Sequence, residues 1–260
     1  MSVFKPKLFE GKTVFVTGGS SGINLRIAEA FGEAGARVAI NGRNVEKLNA
    51  AVEGLKAKGI AATGHAADVR EYRTLDAAMG EVGELDVLVC GAAGNFPSPA
   101  VLMSSGGFKA VLEIDVLGTF NACRAAFERL KKPGACVLNI SAPQAWVPMP
   151  MQAHVCAAKA GVDMLTKTLA LEWGPAGVRV NSIAPGPIAE TEGMDRLAPE
   201  GESRKKLEGH LPLQRFGRKD EVAQLALFLA SEAGAYATGS VFTLDGGMSL
   251  VGGGLFGMVT

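Results

Sequence analysis

The 260-residue sequence is poor in several features that would define a function directly. It has two tyrosines, two tryptophans and three histidines, and its basic and acidic residues balance at 26 each. Because the formal net charge is zero, neither nucleic acid nor an anionic membrane is expected as a partner. No apolar run is long enough to span a bilayer, and the opening residues lack the apolar segment of a secretion signal.

The four cysteines also exclude more than they indicate. Cys90, Cys123, Cys136 and Cys156 show no CxxC spacing and lie inside apolar segments. Buried free thiols in a reducing compartment are favoured over a disulfide or a zinc site. We therefore expect no bound metal and a cytoplasmic location.

Short β-branched runs alternate with longer helical patterns along the chain. The predicted strands cover 12–17 and 36–42 and recur near residues 85, 135 and 178. Continuous apolar strands separated by helices predict one α/β domain, with a parallel sheet covered on both faces. The segment 187–218 is rich in proline, glycine and charge, and we interpret it as a substrate lid. The apolar, glycine-rich tail 246–260 is predicted to pack in a subunit interface of a homo-oligomer.

A glycine-rich loop follows the first predicted strand and opens the first helix. The stretch VTGGSSGIN, residues 16–24, places Gly18, Gly19 and Gly22 where a chain must turn tightly. Glycines allow close approach of the backbone, and the helix N-terminus offers amide donors to a pyrophosphate. The loop therefore predicts a dinucleotide site, although a purely structural turn is the alternative.

The end of the second strand indicates which dinucleotide is bound. Folds that prefer NAD place an acidic residue here, whereas this chain has Asn41, Gly42 and Arg43. A guanidinium suits a 2′-phosphate, so we favour NADP over NAD; the alternative is that Arg43 is only a solvated charge. Asp68 is predicted to meet the adenine edge, and CGAAGN, residues 90–95, to bring backbone close to the cofactor.

Together these features resemble the short-chain dehydrogenase/reductase family over essentially the whole chain. The loop at 17–24, GAAG after the fourth strand, the helix with Lys159, and VRVNSIAPGPI at 178–188 carry the resemblance. It implies a single-domain, doubly wound Rossmann-type sheet of about seven strands, an NADP(H) cofactor and a homotetramer. Asn24 stands where the family has its third loop glycine, and we expect it to crowd the pyrophosphate turn slightly.

The patterns and the resemblance together assign a set of residues to the cofactor. Thr191 is a further candidate for contact with the nicotinamide carboxamide. The assigned set is Thr17, Gly18, Gly19, Ser20, Ser21, Gly22, Ile23, Arg43, Asp68, Val69, Ala92, Lys159, Pro185, Gly186 and Ile188.

The family's Asn–Ser–Tyr–Lys set matches this chain only at its lysine. The corresponding positions hold Asp115, Ala142, Val155 and Lys159. Without hydroxyls at 142 and 155 the usual protonation of a carbonyl oxygen is missing, so ordinary ketone reduction is not expected.

One branch of the family, the 2,4-dienoyl-CoA reductases and especially the peroxisomal type, resembles this chain in the same losses. The shared stretches include EIDVLGTFN at 113–121 and APGPIAETEGMDRL at 184–197. The resemblance implies that NADPH gives a hydride to C5 of a conjugated dienoyl thioester and that protonation at C2 yields a 3-enoyl-CoA. The peroxisomal enzymes end in a targeting tripeptide and this chain ends MVT, which indicates a bacterial or cytosolic relative.

If this resemblance holds, Lys159 and Asp115 supply the proton chemistry. Lys159 would hold the nicotinamide ribose, and Asp115 would polarise a water; the alternative is that Asp115 only organises backbone. Asn95 would donate to the thioester oxygen, or only cap a turn. At about 100° per residue Val155 and Cys156 share the face of Lys159, and His154 points away. The predicted acyl-CoA contacts are Phe96, Gln152, Val155, Cys156 and Arg204.

Several alternatives stay open at this point. Cys156 is also consistent with a buried thiol, and Arg204, with Arg196, Lys205 and Lys206, with a solvated helix face rather than a coenzyme A phosphate site. The protein as a whole also fits a reductase of another conjugated or cyclic carbonyl, or a non-catalytic NADP-binding protein.

Overall fold

The computed structural model describes residues 4–191, 194 and 201–251, and within them the chain builds one parallel sheet. Its seven strands lie in the order β3-β2-β1-β4-β5-β6-β7. The strands are β1 Thr13–Thr17, β2 Arg37–Gly42, β3 Ala62–Ala66, β4 Val87–Cys90, β5 Cys136–Ile140, β6 Arg179–Pro185 and β7 Val241–Leu244.

Helices connect the strands. Those that the structure describes are α1 Gly22–Glu33, α2 Val45–Ala57, α3 Tyr72–Val82, α4 Ser105–Leu112, α5 Gly118–Phe127, α6 Ala153–Trp173, α7 Glu202–Gly209 and α8 Lys219–Ala230. Between α4 and α5 the residues Glu113–Leu117 form a π-helical turn, so 105–127 is one helix with a widened centre.

The helices cover both faces of the sheet. On one face α1, α2 and α8 pack with Phe31, Leu48 and Leu227 against the strands, and on the other α3, α5 and α6 pack with Met79, Cys123 and Leu169. Central strands buried on both sides therefore read as continuous apolar runs, VFV in β1 and VLV in β4. The predicted doubly wound α/β fold is confirmed.

The strand order reverses between β1 and β4, and this places the functional crevice. Thr17 and Cys90 are paired in register, so both strands end at the same level. In open parallel sheets the loops that leave the two strands diverge at such a point and leave a cleft at their carboxyl ends. The glycine loop after β1 and the GAAG segment after β4 form the two sides of that cleft.

Outside the cleft, the edge strand, the cysteines, the lid and the tail can be set against what the sequence predicts. β3, with the sequence ATGHA, lies at the edge of the sheet and lacks the apolar β-branched run by which five of the other strands were predicted. The four cysteines are free thiols, buried except for the half-buried Cys156. Among the residues described, no helix is both long and apolar enough to cross a bilayer. Parts of the predicted lid (192, 193 and 195–200, including Arg196) and of the tail (252–260) lie outside the described residues.

Two helical glycines give a matched test of this packing. A Cβ on Gly32 of α1 would lie 2.3 Å from Cγ2 of Ile60, whereas a Cβ on Gly54 of α2 would meet no atom within 4 Å. Gly54→Ala should gain about 1 kcal/mol from helix propensity. Gly32→Ala should lose about 1–3 kcal/mol by overpacking against Ile60. Urea unfolding of the two variants measures both signs, and equal stabilisation would contradict the described contact of α1 with Ile60.

Candidate active site

A cavity of about 1110 Å³ opens at the carboxyl ends of the strands. The loops after β1, β2, β3 and β4 line one part of it, and the loops after β5 and β6 with Lys159 of α6 line the other. A long cleft along this edge is the shape that an extended dinucleotide requires. We describe the two parts as the adenosine part and the catalytic part.

The loop between β1 and α1 has the geometry of a phosphate cradle. Gly18 has φ +65°, and a Cβ there would lie 2.8 Å from Cα of Ala92, so the position admits only glycine. Gly22 has φ +60° and begins α1, whose N-cap Ser21 makes no side-chain hydrogen bond to the first turn. The amides of that turn are therefore available to an anion, and the cradle fits a pyrophosphate.

Most residues predicted to bind the cofactor line this cavity. Two of the predicted residues do not line it. Oγ1 of Thr17 accepts a hydrogen bond from Gly91 N at 3.0 Å, and Gly19 N donates to Asn41 O at 3.0 Å. Those that line the cavity are Gly18, Ser20, Ser21, Gly22, Ile23, Arg43, Asp68, Val69, Ala92, Lys159, Pro185, Gly186 and Ile188. Thr191 also lines the cavity, as expected from its place after β6.

Asn24, the departure from the usual glycine loop, joins the two sides of the cleft. Its Nδ2 donates to Gly91 O at 2.7 Å and to Gly18 O at 3.4 Å. A Cβ on Gly91 would lie 2.1 Å from Oδ1 of Asn24, so the missing side chain at 91 makes room for the amide at 24. The bulk that was expected to crowd the turn is thus accommodated by Gly91.

Basic side chains collect in the adenosine part. Arg43, Asn44 and Lys47 line it together with Asp68. Asn41, at the position where an acid would hold the ribose, donates its amide to His65 O and Ala67 O at 3.0 Å each. Asn41 therefore ties β2 to the end of β3, and its side-chain amide is used within the fold.

An ion pair between Asp115 and Lys159 lies at the centre of the catalytic part. Lys159 Nζ is 3.0 Å from Oδ2 of Asp115 and 3.1 Å from Ile140 O, and Oδ1 of Asp115 accepts from Gly94 N at 2.8 Å. Asp115 is 1 % and Lys159 6 % exposed. The widened π turn carries the aspartate, an irregularity frequently found at functional sites. The sequence predicted this pair, and the structure brings its two members together.

Positions 142 and 155, which lack the expected hydroxyls, have different surroundings. Ala142 follows β5 and lines the cavity. Val155 is 3 % exposed and packs with Val111 of α4 and with Ala158, behind the cavity wall. Cys156 is half-buried and is also not among the lining residues.

A pair of glutamines faces the catalytic part, and the sequence predicted only one of them. Gln152 is 4 % exposed, and its Oε1 accepts a hydrogen bond from Nε2 of Gln144 at 3.0 Å. Both line the cavity, and Oε1 of Gln144 is buried without a partner among the described residues. The signal for Gln144 was its place two residues after Ala142, in the 3₁₀ turn Pro143–Ala145 that leaves β5.

The remaining predicted substrate residues lie at the margins. Asn95 and Phe96 are exposed and are not among the residues that line the cavity. Phe96 contacts His154, with ring centroids 4.5 Å apart; His154 is fully buried, and neither of its ring nitrogens has a hydrogen-bond partner in the described part of the chain. Arg204 of α7 lies over the ring of Phe216 and 3.8 Å from Glu208. Their contacts with a substrate stay predictions.

A buried acid lies one helical turn beyond Lys159. Burial raises the pKa of Asp163, and the nearby hydroxyls of Ser141 and Ser182 partly oppose that shift. Ser141 lines the cavity at the end of β5. The wall beside Lys159 is therefore polar on the side of β5 and β6 and apolar on the side of α4.

Known proteins resemble this chain over nearly its full length. Residues 18–249 match the family described as Enoyl-(Acyl carrier protein) reductase. The peroxisomal 2,4-dienoyl-CoA reductase [(3E)-enoyl-CoA-producing] of Arabidopsis thaliana is 43% identical, over 96% of this chain and 88% of that protein. The "Probable 2,4-dienoyl-CoA reductase [(2E)-enoyl-CoA-producing]" of Bacillus subtilis (strain 168) is 38% identical, over 93% of this chain and 98% of the relative.

A solved structure adds a cofactor complex to the comparison. The gluconate 5-dehydrogenase of Burkholderia cenocepacia J2315, determined with NADP and tartrate, superposes with a TM-score of 0.84. It is 30% identical, and the match covers 93% of this chain and 96% of that one. A protein of the same fold has thus been determined in complex with a nicotinamide dinucleotide.

Exchanging Asn24 tests whether it supports the cradle or obstructs it. Asn24→Gly removes the hydrogen bonds to Gly91 O and Gly18 O, so we expect weaker dinucleotide binding, by about three- to tenfold. Asn24→Asp keeps the size but replaces the amide donor by a carboxylate beside a carbonyl oxygen, and should bind more weakly still. Isothermal titration calorimetry measures both, and tighter binding by Asn24→Gly would show that the asparagine obstructs the turn.

Proposed function

The chain belongs to the short-chain dehydrogenase/reductase family, and from that membership we propose that it is an NADPH-dependent reductase of 2,4-dienoyl-CoA thioesters. The observation that carries the proposal is the buried pair of Asp115 and Lys159 in a site whose other two family positions hold Ala142 and Val155. Curated relatives about 40% identical bear the name of that activity. The product proposed is the 3-enoyl-CoA, as in the name of the Arabidopsis protein.

The preference for NADPH is supported by charge. Arg43 and Lys47 line the adenosine part of the cavity, and β2 ends in Asn41 and Gly42 without a carboxylate. A 2′-phosphate gains from the two cations, whereas the ribose hydroxyls of NADH would have no acidic acceptor at β2. When bound, the cofactor supplies a hydride to the conjugated carbon chain.

In this proposal Lys159 stabilises charge and Asp115 supports proton transfer. The ammonium of Lys159 stabilises negative charge that develops in the catalytic part. Asp115 keeps that ammonium in place and orients a water toward the substrate carbon that is protonated. Because Lys159 compensates the carboxylate, Asp115 does not repel the negative charge that develops on the substrate as an unpaired carboxylate would.

The oxygen of the thioester needs hydrogen-bond donors, since no hydroxyl stands at 142 or 155. The hydrogen bond from Gln144 to Oε1 of Gln152 turns the Nε2 group of Gln152 away from that contact. Both glutamines line the cavity on the side of Ala142. We assign the donation to Nε2 of Gln152, with Asn95 as the alternative donor if the segment 94–97 approaches a bound substrate.

The Asp115→Asn variant tests the proposed activity directly. Asparagine preserves an acceptor for Gly94 N but removes the charge that pairs with Lys159. With NADPH and a 2,4-dienoyl-CoA, we expect kcat to fall by about 10²–10⁴-fold while NADPH binding changes little. Loss of NADPH absorbance together with loss of diene absorbance measures turnover.

Glu113→Gln is the matched control, because Glu113 lies in the same π turn and pairs with Lys109 at the surface, 3.5 Å away. It should retain wild-type turnover. Wild-type protein that binds NADPH but reduces no dienoyl thioester would refute the proposed substrate, and retention of kcat in Asp115→Asn would refute the proposed role of the carboxylate.

The Gln152→Leu variant tests which amide meets the thioester oxygen. Leucine keeps the volume and removes the donor, so kcat/KM should fall by about 10²-fold or more. Asn95→Leu should change it by less than about threefold, since Asn95 is exposed outside the cavity lining. Steady-state kinetics of the two variants decide between the donors: the reverse order of effects would assign the contact to Asn95.

A further inference from the structure

The carboxylate of Asp68 is held by a cation that does not line the cavity. Arg70 donates from Nε to Oδ1 and Oδ2 of Asp68, at 3.0 and 3.1 Å, and from Nη2 to Oδ2 at 2.6 Å. The backbone N of Arg70 also donates to Oδ1 at 3.0 Å. Both carboxylate oxygens are therefore occupied by one residue, in the bidentate geometry that favours arginine over lysine.

A second arginine, Arg43, lies near the same carboxylate but makes no hydrogen bond to it. Nη1 of Arg43 is 3.8 Å from Oδ2 of Asp68, beyond hydrogen-bond distance. Both cations lower the pKa of Asp68, and the hydrogen bonds of Arg70 contribute most. The side chain of Arg43 is 58% exposed, so it has the freedom to move toward or away from Asp68.

The backbone around Arg70 is fixed from two sides. Nδ2 of Asn121 in α5 donates to Val69 O at 2.9 Å and to Arg70 O at 3.2 Å. On the other side, Nδ2 of Asn41 donates to Ala67 O at 3.0 Å. The segment 67–70 is thus anchored to α5 and to β2, so the Arg70 side chain extends from a fixed backbone and reaches Asp68 two residues before it.

We propose that Arg70 is a positioning residue for cofactor specificity: it occupies Asp68 and so leaves Arg43 for the 2′-phosphate. This inference rests on the preference for NADPH proposed above. Without Arg70, Asp68 would be an uncompensated carboxylate in the adenosine part, and Arg43 would move the short distance to pair with it. The 2′-phosphate would then lose a cation and face a negative charge.

NAD⁺ provides an internal reference because it lacks the 2′-phosphate. The loss of Arg70 should therefore weaken NADP⁺ much more than NAD⁺, whereas a general disturbance of the adenine site would weaken both. Calorimetric titration with each dinucleotide, without substrate, measures the ratio of the two dissociation constants independently of turnover.

The principal variant is Arg70→Ala. We expect the dissociation constant of NADP⁺ to rise about tenfold and that of NAD⁺ by less than about threefold. Arg73→Ala, an exposed arginine on the first turn of α3, removes the same charge away from the cavity and should leave the ratio unchanged. Equal weakening of both dinucleotides by Arg70→Ala, or an unchanged ratio, would overturn the inference.

A rescue variant separates competition for Arg43 from other effects. In Asp68→Asn/Arg70→Ala the carboxylate is gone, so Arg43 has no competing partner and the NADP⁺ preference should exceed that of Arg70→Ala alone. Such coupling between neighbouring sites is what a double-mutant cycle measures. Failure of the second substitution to restore the ratio would contradict the mechanism.

The same titrations separate this inference from the proposed function. Wild-type protein that binds NAD⁺ more tightly than NADP⁺ would refute the cofactor preference and with it the premise. Wild-type protein that prefers NADP⁺, with the preference intact in Arg70→Ala, would refute only the role of Arg70.

Discussion

The ion pair between Asp115 and Lys159 is the interaction on which the catalytic part depends. Two charges removed from water cost several kcal/mol each unless their geometry and remaining hydrogen bonds offset the loss. Here Gly94 N and Ile140 O supply those bonds, so the pair also joins the loop after β4, the π turn, α6 and the end of β5. Truncating either side chain to alanine would leave a buried charge and also remove its hydrogen bond to the neighbouring segment.

The same principle of compensation recurs at two other positions along the cleft. Asn24 is bulky for a glycine loop, and the absence of a side chain at Gly91 leaves room for it. Asp68 is a carboxylate beside a site proposed for a phosphate, and Arg70 neutralises it. In both cases a neighbouring residue offsets the cost: Gly91 lies far from Asn24 in the sequence and adjacent to it in space, and Arg70 lies two residues from Asp68.

The sequence predicted what local patterns determine and little of what distant partners determine. The apolar strands, the glycine loop and the pair of Asp115 and Lys159 follow from runs, turns and family spacing. β3 escaped individual prediction because ATGHA is an edge strand with few apolar side chains. The helical angle placed Val155 on the face of Lys159 but not against Val111, since the angle does not reveal what packs there. Gln144 was missed because its contact with Gln152 appears only after folding. Arg70 was missed although its partner Asp68 is only two residues away.

The burial of Val155 shows what a tyrosine at this position would meet. A tyrosine at 155 needs room for a ring and a route for its hydroxyl into the cavity. Val155 is instead enclosed by Val111 and Ala158, with Leu112 and Val116 packed around them. Adding a ring to such a cluster forces neighbouring side chains or backbone to shift, at a cost of about 1–3 kcal/mol or more. The apolar contact of α4 with α6 therefore closes the place of a phenol, and the polar groups that lie at the catalytic part are an ammonium, a carboxylate behind it and an amide.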